Sequence, residues 1–233
     1  MQYSNPYIEL CLEGSNSVFK GLNQKDKAAI AHHHTLILIK KGELLFKEGE
    51  KPHGLICLAS GKVKVFKEGV SGRKQILKMV RQHGFIGYRA LFSDNNWSVS
   101  AAAVEDSAVC VFEKNSLLKI LKKNGNLALK FIQVIAEDLW FSYNRTVSLT
   151  QKHTRGRIAE ALLLLRDTYG YEADGITVSI SISRDNIANL SNMTTSNAIR
   201  TLSNLASDGI IGIKGRKISI PDNTTLERIS ELG

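Results

Sequence analysis

Two kinds of hydrophobic periodicity divide this chain. From residue 36 to 112, apolar residues come in short runs at 36–39, 43–46, 55–58, 62–66, 75–80, 99–103 and 108–112. Lys62-Val63-Lys64-Val65-Phe66 alternates, which predicts a strand with one buried and one wet face. Gly42, Gly49, Gly61, Gly69, Gly72 and Gly84 stand between or beside the runs, where turns call for positive φ. Many short strands at this spacing predict a β-sandwich or jelly-roll barrel. Before residue 34 the pattern is partly helical, best over 22–30. After residue 112 it becomes helical again, and Asn115 and Asn124 can cap helices. The second of these helices runs from about 126 to 150. In it Ala128, Ile132, Ile135, Leu139, Ser142, Thr146 and Leu149 follow steps of 4, 3, 4, 3, 4 and 3, a heptad seam. If the helix packed on its own domain instead, Phe131 and Trp140 could serve.

Gln151-Lys152-His153 reads as a hinge, and Thr154 starts another helix. The loop at 169–175 and an alternating strand at 176–182 lead to two short helical patterns. Ser183 can cap the first, with Asp185 near the positive end of its dipole and Ile187, Ala188 and Leu190 as its apolar face. Ser191-Asn192-Met193 breaks the pattern. Thr194 caps a second helix to about Ala206, in which Ala198, Ile199, Leu202 and Leu205 are expected to face inward. Thr195, Ser196, Asn197 and Arg200 are left outside. Asp208-Gly209 ends the helix, and 210–213, Lys214-Gly215 and 216–220 read as a two-stranded wing. The stretch 183–220 is thus a helix-turn-helix with a wing.

Composition changes the picture only locally. A length of 233 residues suits one large or two ordinary domains, and 43% hydrophobic residues favour an ordered chain. No apolar run approaches the ~20 residues of a membrane helix, and the first thirty residues lack an apolar signal core. Cys11, Cys57 and Cys110 are odd in number and widely spaced, which argues against a disulfide framework and for a reducing cytoplasm. The net charge of +9 favours a polyanion, yet residues 151–233 hold 10 basic and 9 acidic side chains. Within 184–217 the balance is five basic (Arg184, Arg200, Lys214, Arg216, Lys217) to two acidic. His32-His33-His34 point about 100° apart on a helix, so they cannot converge on one metal ion and read as an exposed helix end. No phosphate-loop glycine spacing and no Ser/His/Asp arrangement stands out, so an enzyme is not expected.

Three segments carry a resemblance: I-K-K-G-E-L-L-F-K-E-G-E (39–50), L-A-S-G-K-V-K-V (58–65) and F-I-G-Y-R-A-L-F (85–92). They resemble the cyclic-nucleotide-binding β-roll. With the helix-turn-helix downstream, the chain resembles the Crp/Fnr superfamily of bacterial transcription regulators over essentially its whole length. The resemblance implies an α+β fold with three parts. These are an effector domain (1–125), a dimerisation helix with hinge (126–152) and a winged helix-turn-helix domain (153–233). It implies a homodimer on a roughly palindromic double-stranded DNA site, with RNA polymerase as a further partner and no membrane. Arg184, Thr194, Thr195, Ser196, Asn197, Arg200, Lys214, Arg216 and Lys217 become the DNA-contact candidates. Arg200 matches the family's arginine by position, and Ser196 stands where many relatives have Glu.

The effector pocket departs from the family. Cyclic-nucleotide binders carry a Glu after the F-x-G turn and an Arg-Ser pair about ten residues on. Here Tyr88 stands at the Glu position, the pair's region reads Asn96-Trp97-Ser98, and Arg89 lies one position along. A buried phosphate without its cationic partner carries a large desolvation cost, so cyclic AMP is not expected. One cysteine in the N-terminal arm cannot supply a four-thiolate iron–sulfur cluster either. No obligatory cofactor is expected. Phe85, Gly87, Tyr88, Arg89, Trp97 and Ser98, with Ser142 and Thr146 on the long helix, are the candidate lining for another small effector. The alternative is a cyclic-nucleotide-responsive module acting on a protein partner, which leaves 183–220 without a role.

Overall fold

The computed structural model describes residues 5–15, 17–93 and 95–233. It forms two compact units. One holds the described residues up to Lys67 together with Lys78–Leu139, the other Glu68–Leu77 and Trp140–Gly233. In the first half of the chain come α1 (Pro6–Glu13), α2 (Gln24–His32), β1 (His34–Ile39), β2 (Leu44–Phe46), β3 (Gly54–Ser60), β4 (Val63–Glu68), β5 (Lys74–Val80), β6 (Phe85–Ile86), α3 (Tyr88–Ser93), β7 (Ser100–Ala103) and β8 (Ser107–Glu113). They are followed by α4 (Lys114–Lys123) and α5 (Gly125–Gln151), then α6 (Thr154–Tyr169), α7 (Arg184–Leu190), α8 (Thr195–Ser207), β9 (Gly212–Lys214), β10 (Lys217–Ser219) and α9 (Asn223–Leu232). The seven strands expected between residues 36 and 112 are present within one or two residues at each end. The two-residue β6 and helices α3 and α9 are additions, while α1 and α2 fall within the partly helical stretch expected before residue 34.

The β-strands of the first unit form two four-stranded sheets, in the orders β1-β8-β3-β6 and β2-β7-β4-β5. Alternation in β3 and β8 makes two cores. Ile56, Leu58 and Val109 point between the sheets, where they meet Phe46, Val63, Ala101 and Trp97. Leu55, Cys57, Cys110 and Phe112 point the other way, under α1, α2, α4 and the start of α5. Because β3 is covered on both faces, its sequence is apolar at nearly every position rather than at every second one. Phe19 sits at the centre of the helical core, with ring centroids 5.3 Å from both Phe85 and Phe112 and 6.3 Å from Phe131. The three cysteines meet in this core as free, buried thiols, with Cys57 directly opposite Cys110 in the sheet.

Helix starts follow from side-chain caps. Asn124 accepts a hydrogen bond from the Leu127 amide at 3.0 Å, as expected of a cap. Asn115 does not cap: α4 begins one residue earlier, after Glu113, and Ser116 donates to the Glu113 carboxylate instead. Among the described residues no three metal-ligating groups converge, and His33 lies 3.8 Å from Glu113.

In the second unit α6 is the central helix, buried along Ile158, Ala161, Leu162 and Leu165, with α7, α8 and α9 against it. The stretch 176–182 is not the continuous strand expected. Val178, Ile180 and Ile182 are buried as the alternation requires, but pairing is limited to the bridges Tyr171↔Val178 and Thr177↔Ser219. The Ile180 amide bonds back to the Val178 carbonyl at 2.7 Å, which folds the backbone out of a ladder.

Candidate nucleic-acid interface

Ser183 and Thr194 set the helix-turn-helix. The Ser183 hydroxyl accepts from the Asn186 amide at 3.1 Å and the Thr194 hydroxyl from the Asn197 amide at 3.3 Å, fixing where α7 and α8 begin. Between them Asn192 takes a left-handed φ of +50°, which turns the chain sharply. Asp185 reaches across the turn to Thr195 (3.5 Å) and along its own helix to Asn189 (3.0 Å).

On α8, Ala198, Leu202 and Leu205 are fully buried, but Ile199 is not; it is 47% exposed. The reason is geometric: 198, 202 and 205 already make an i, i+4, i+7 stripe, and residue 199 lies 100° around from it. Ile199 therefore joins Ser196 and Arg200 on the exposed face. Sequence reading missed it as a site residue because isoleucine beside alanine looks like core. Thr195 and Asn197 are half-buried. The Asn197 side-chain oxygen accepts from Arg200 at 2.9 Å, so Asn197 orients the guanidinium.

The wing pairs Lys214 with Lys217 across a Gly215-Arg216 turn, one residue later than the expected Lys214-Gly215. Gly215 has φ +60°, the conformation that glycine takes at least cost. Like charges directly opposite are unfavourable in a ladder, which marks this tip as built for something other than stability. Glu172 offsets Lys217 at 2.7 Å, while Lys214 and Arg216 are exposed. Arg184, at the start of α7, donates to the Gly215 carbonyl at 2.9 Å and so ties the wing to the first helix.

The effector candidates separate. Phe85 and Trp97 are core side chains; Trp97 stacks on Phe46 with centroids 4.2 Å apart. Gly87, at φ +84°, lies so close that a Cβ there would sit 2.3 Å from the Trp97 ring. The Tyr88 ring is buried, with Lys78 Nζ 3.4 Å from its hydroxyl and 2.8 Å from Asp138 on α5. Arg89 and Ser98 do meet, at 3.4 Å, on the rim of an open depression of about 420 Å³. Ala90, Phe92, Ser93, Asn95, Asn96 and Ile135 also line it. Ser142 and Thr146 are exposed on α5, not among these lining residues, and the Thr146 hydroxyl is spent on the Ser142 carbonyl at 2.8 Å.

The seam candidates separate as well. Ala128 and Ile135 pack against the core of their own unit, as does Phe131, and Leu149 is half-buried. The exposed apolar line is Leu129, Ile132, Leu139 and Tyr143, flanked by Val147 and by Trp140 at 70% exposure. With Ala136 and Thr146 it keeps the heptad steps, rotated by one residue at its start.

Comparisons with known proteins fall on the same two parts. A sequence model described as the cyclic nucleotide-binding domain matches residues 36–124. One described as the Crp-like helix-turn-helix domain matches 156–229. The chain belongs to the Crp/Fnr family of transcription regulators. It is 28% identical over 177 residues to the anaerobic regulatory protein of Bacillus subtilis, covering 75% of this chain and 74% of that one. It is 23% identical over 212 residues to the CRP-like cAMP-activated global transcriptional regulator of Mycobacterium tuberculosis, covering 91% and 95%. In fold it is similar to FixK2 from Bradyrhizobium japonicum, with a TM-score of 0.75 over 84% of this chain and 96% of that one at 24% identity. As a Crp/Fnr regulator the chain is a DNA-binding protein. No helix of the described residues is long and apolar enough to cross a membrane.

Proposed function

We propose that the chain acts as a cytoplasmic homodimer that reads a roughly palindromic DNA site, with its two α8 helices in major grooves about 34 Å apart. The observation that carries this reading is the outer face of α8, where Ser196, Ile199 and Arg200 stand exposed, together with a wing tip of paired lysines. Arg200 donates in bidentate fashion to guanine O6 and N7, and Ile199 meets a thymine methyl. Thr194, Thr195 and Ser196 contact neighbouring phosphates or bases from the helix start. Lys214, Arg216 and Lys217 neutralise phosphate and set register, while Arg184 holds the wing in place for them. The exposed apolar line on α5 is the dimer face. RNA polymerase is the further partner, met through the loop at 169–175.

The effector is a small molecule other than cyclic AMP, or none. The M. tuberculosis relative is by name cAMP-activated. Here Tyr88 fills the position that needs a ribose-binding carboxylate, and Arg89 meets Ser98 on an open rim rather than inside a closed pocket.

Two substitutions test the division of labour on DNA. Arg200→Ala should cost roughly 1–3 kcal/mol on a selected site and relax its sequence preference, whereas Lys214→Ala should weaken all duplexes alike and lower the salt slope by about 1. Mobility shifts at several salt concentrations measure both. Equal loss on specific and random DNA for both variants would remove Arg200 from base reading.

A further inference from the structure

The second unit holds a buried cation outside the DNA-contact candidates. Arg145, on α5, is 6% exposed. Its Nη1 donates to Glu160 of α6 at 2.9 Å, and its Nη2 donates to the Leu190 carbonyl. Leu190 is the last residue of α7, where helix carbonyls have no partner within the helix. Glu160 is itself gripped three times, by Arg145 and the Ser148 hydroxyl of α5 and by Lys152, one residue past the end of α5, at 2.9 Å. Positions 145 and 148 follow i, i+3 and share one face of α5. From α6, Arg157 Nη1 donates to the Asn192 carbonyl at 2.8 Å. The tight turn between α7 and α8 is therefore held on both sides by guanidinium groups, one from α5 and one from α6.

Stability alone does not call for this arrangement. A buried ion pair is commonly replaced by apolar side chains at no loss, because desolvation offsets the attraction. The Arg145 Nε is buried without a hydrogen-bond partner among the described residues, so the group is not even fully satisfied. The apolar residues of α7 and α8, Ile187, Leu190, Leu202 and Leu205, are fully buried already. What the guanidinium adds is direction: a planar fork that bonds Glu160 and Leu190 together admits few placements of the turn relative to α5 and α6.

We propose that Arg145 is a positioning residue for DNA recognition. Glu160 orients its fork, and the fork sets the angle at which α7, the turn and α8 are presented from the long helix. This rests on the reading of α8 as the DNA-recognition helix.

The test uses the full chain and two duplexes: a site selected by the wild type from a random pool, and a random duplex of equal length. Arg145→Met should weaken binding to the selected site by about tenfold, the size of one lost base contact. Binding to random duplex and the salt slope should stay as in the wild type, since the phosphate contacts remain. Arg145→Lys, which keeps the charge but not the fork, should fall between. In the double variant Arg145→Met/Glu160→Met the carboxylate that loses its Arg145 partner is removed as well, so thermal stability should return towards wild type while the tenfold loss on the selected site persists. Recovery of specific affinity in the double variant would show that Arg145 serves folding alone and would overturn the proposal. Wild-type affinity in Arg145→Met would overturn it too. If the wild type itself selects no sequence, the DNA-recognition reading fails, and this proposal with it; if it selects one and the variants bind it normally, only the proposal fails.

Discussion

Gly87 and Ile199 show how a single position acquires its meaning. Gly87 combines a left-handed φ of +84° with a Trp97 ring that leaves no space for a Cβ. Gly49 shares the conformation, at φ +90°, but has nothing within 4 Å of a built Cβ. Gly49→Ala should therefore cost only the conformational strain, about 1–2 kcal/mol. Gly87→Ala should cost at least about 1 kcal/mol more, because overpacking adds to it. Urea unfolding of the two variants measures the difference, and equal losses would mean that the ring moves aside freely. The turn at Gly87 was legible in the F-x-G spacing; the contact was not, because it depends on a side chain ten positions away. Ile199 failed for the opposite reason. Its chemistry said core, and only the angle around α8 placed it beside Arg200, where an isoleucine contributes shape rather than stability.

At the scale of elements, caps and turns read well while faces read less well. Ser183, Thr194 and Asn124 cap as their sequence context implies, since capping is decided within four residues. The heptad on α5 was legible as steps of 3 and 4. Which side of the helix faces outward was not, because Ala128 and Ile135 are claimed by the core of their own unit. Leu139→Glu, on the exposed line, should weaken self-association more than tenfold in sedimentation velocity, a buried charge at an apolar interface being costly. An unchanged dimer would move the interface off this face. The same helix bears on acid stability. Burial pushes the Glu160 carboxyl up, but bonds from Lys152, Ser148 and Arg145 outweigh it, so it titrates below its ordinary value near 4.5. A lowered folded value means that stability is present above 4.5 and is lost as pH falls through the folded value. Glu160→Gln should thus lose stability at pH 6 yet show a shallower decline than wild type below pH 4.5 in urea midpoints. Parallel curves would mean that Glu160 titrates as an exposed carboxylate.

Across the whole molecule, the order of parts carried the family: a glycine-punctuated β-roll, a long apolar helix, then two capped helices and a hairpin. That order is written in periodicity, which is why it was legible in one sequence. The effector site was not, because its specificity lies in a few polar groups whose meeting depends on chain folding, as Arg89 and Ser98 show. In the proposed dimer two copies of α8 read one DNA word each. Selection of bound sites from a random-sequence duplex pool tests it most directly. An inverted repeat with half-sites centred about 10 base pairs apart, and a guanine whose preference vanishes with Arg200→Ala, is the predicted outcome. A pool that stays random, or a single unrepeated half-site, would contradict it.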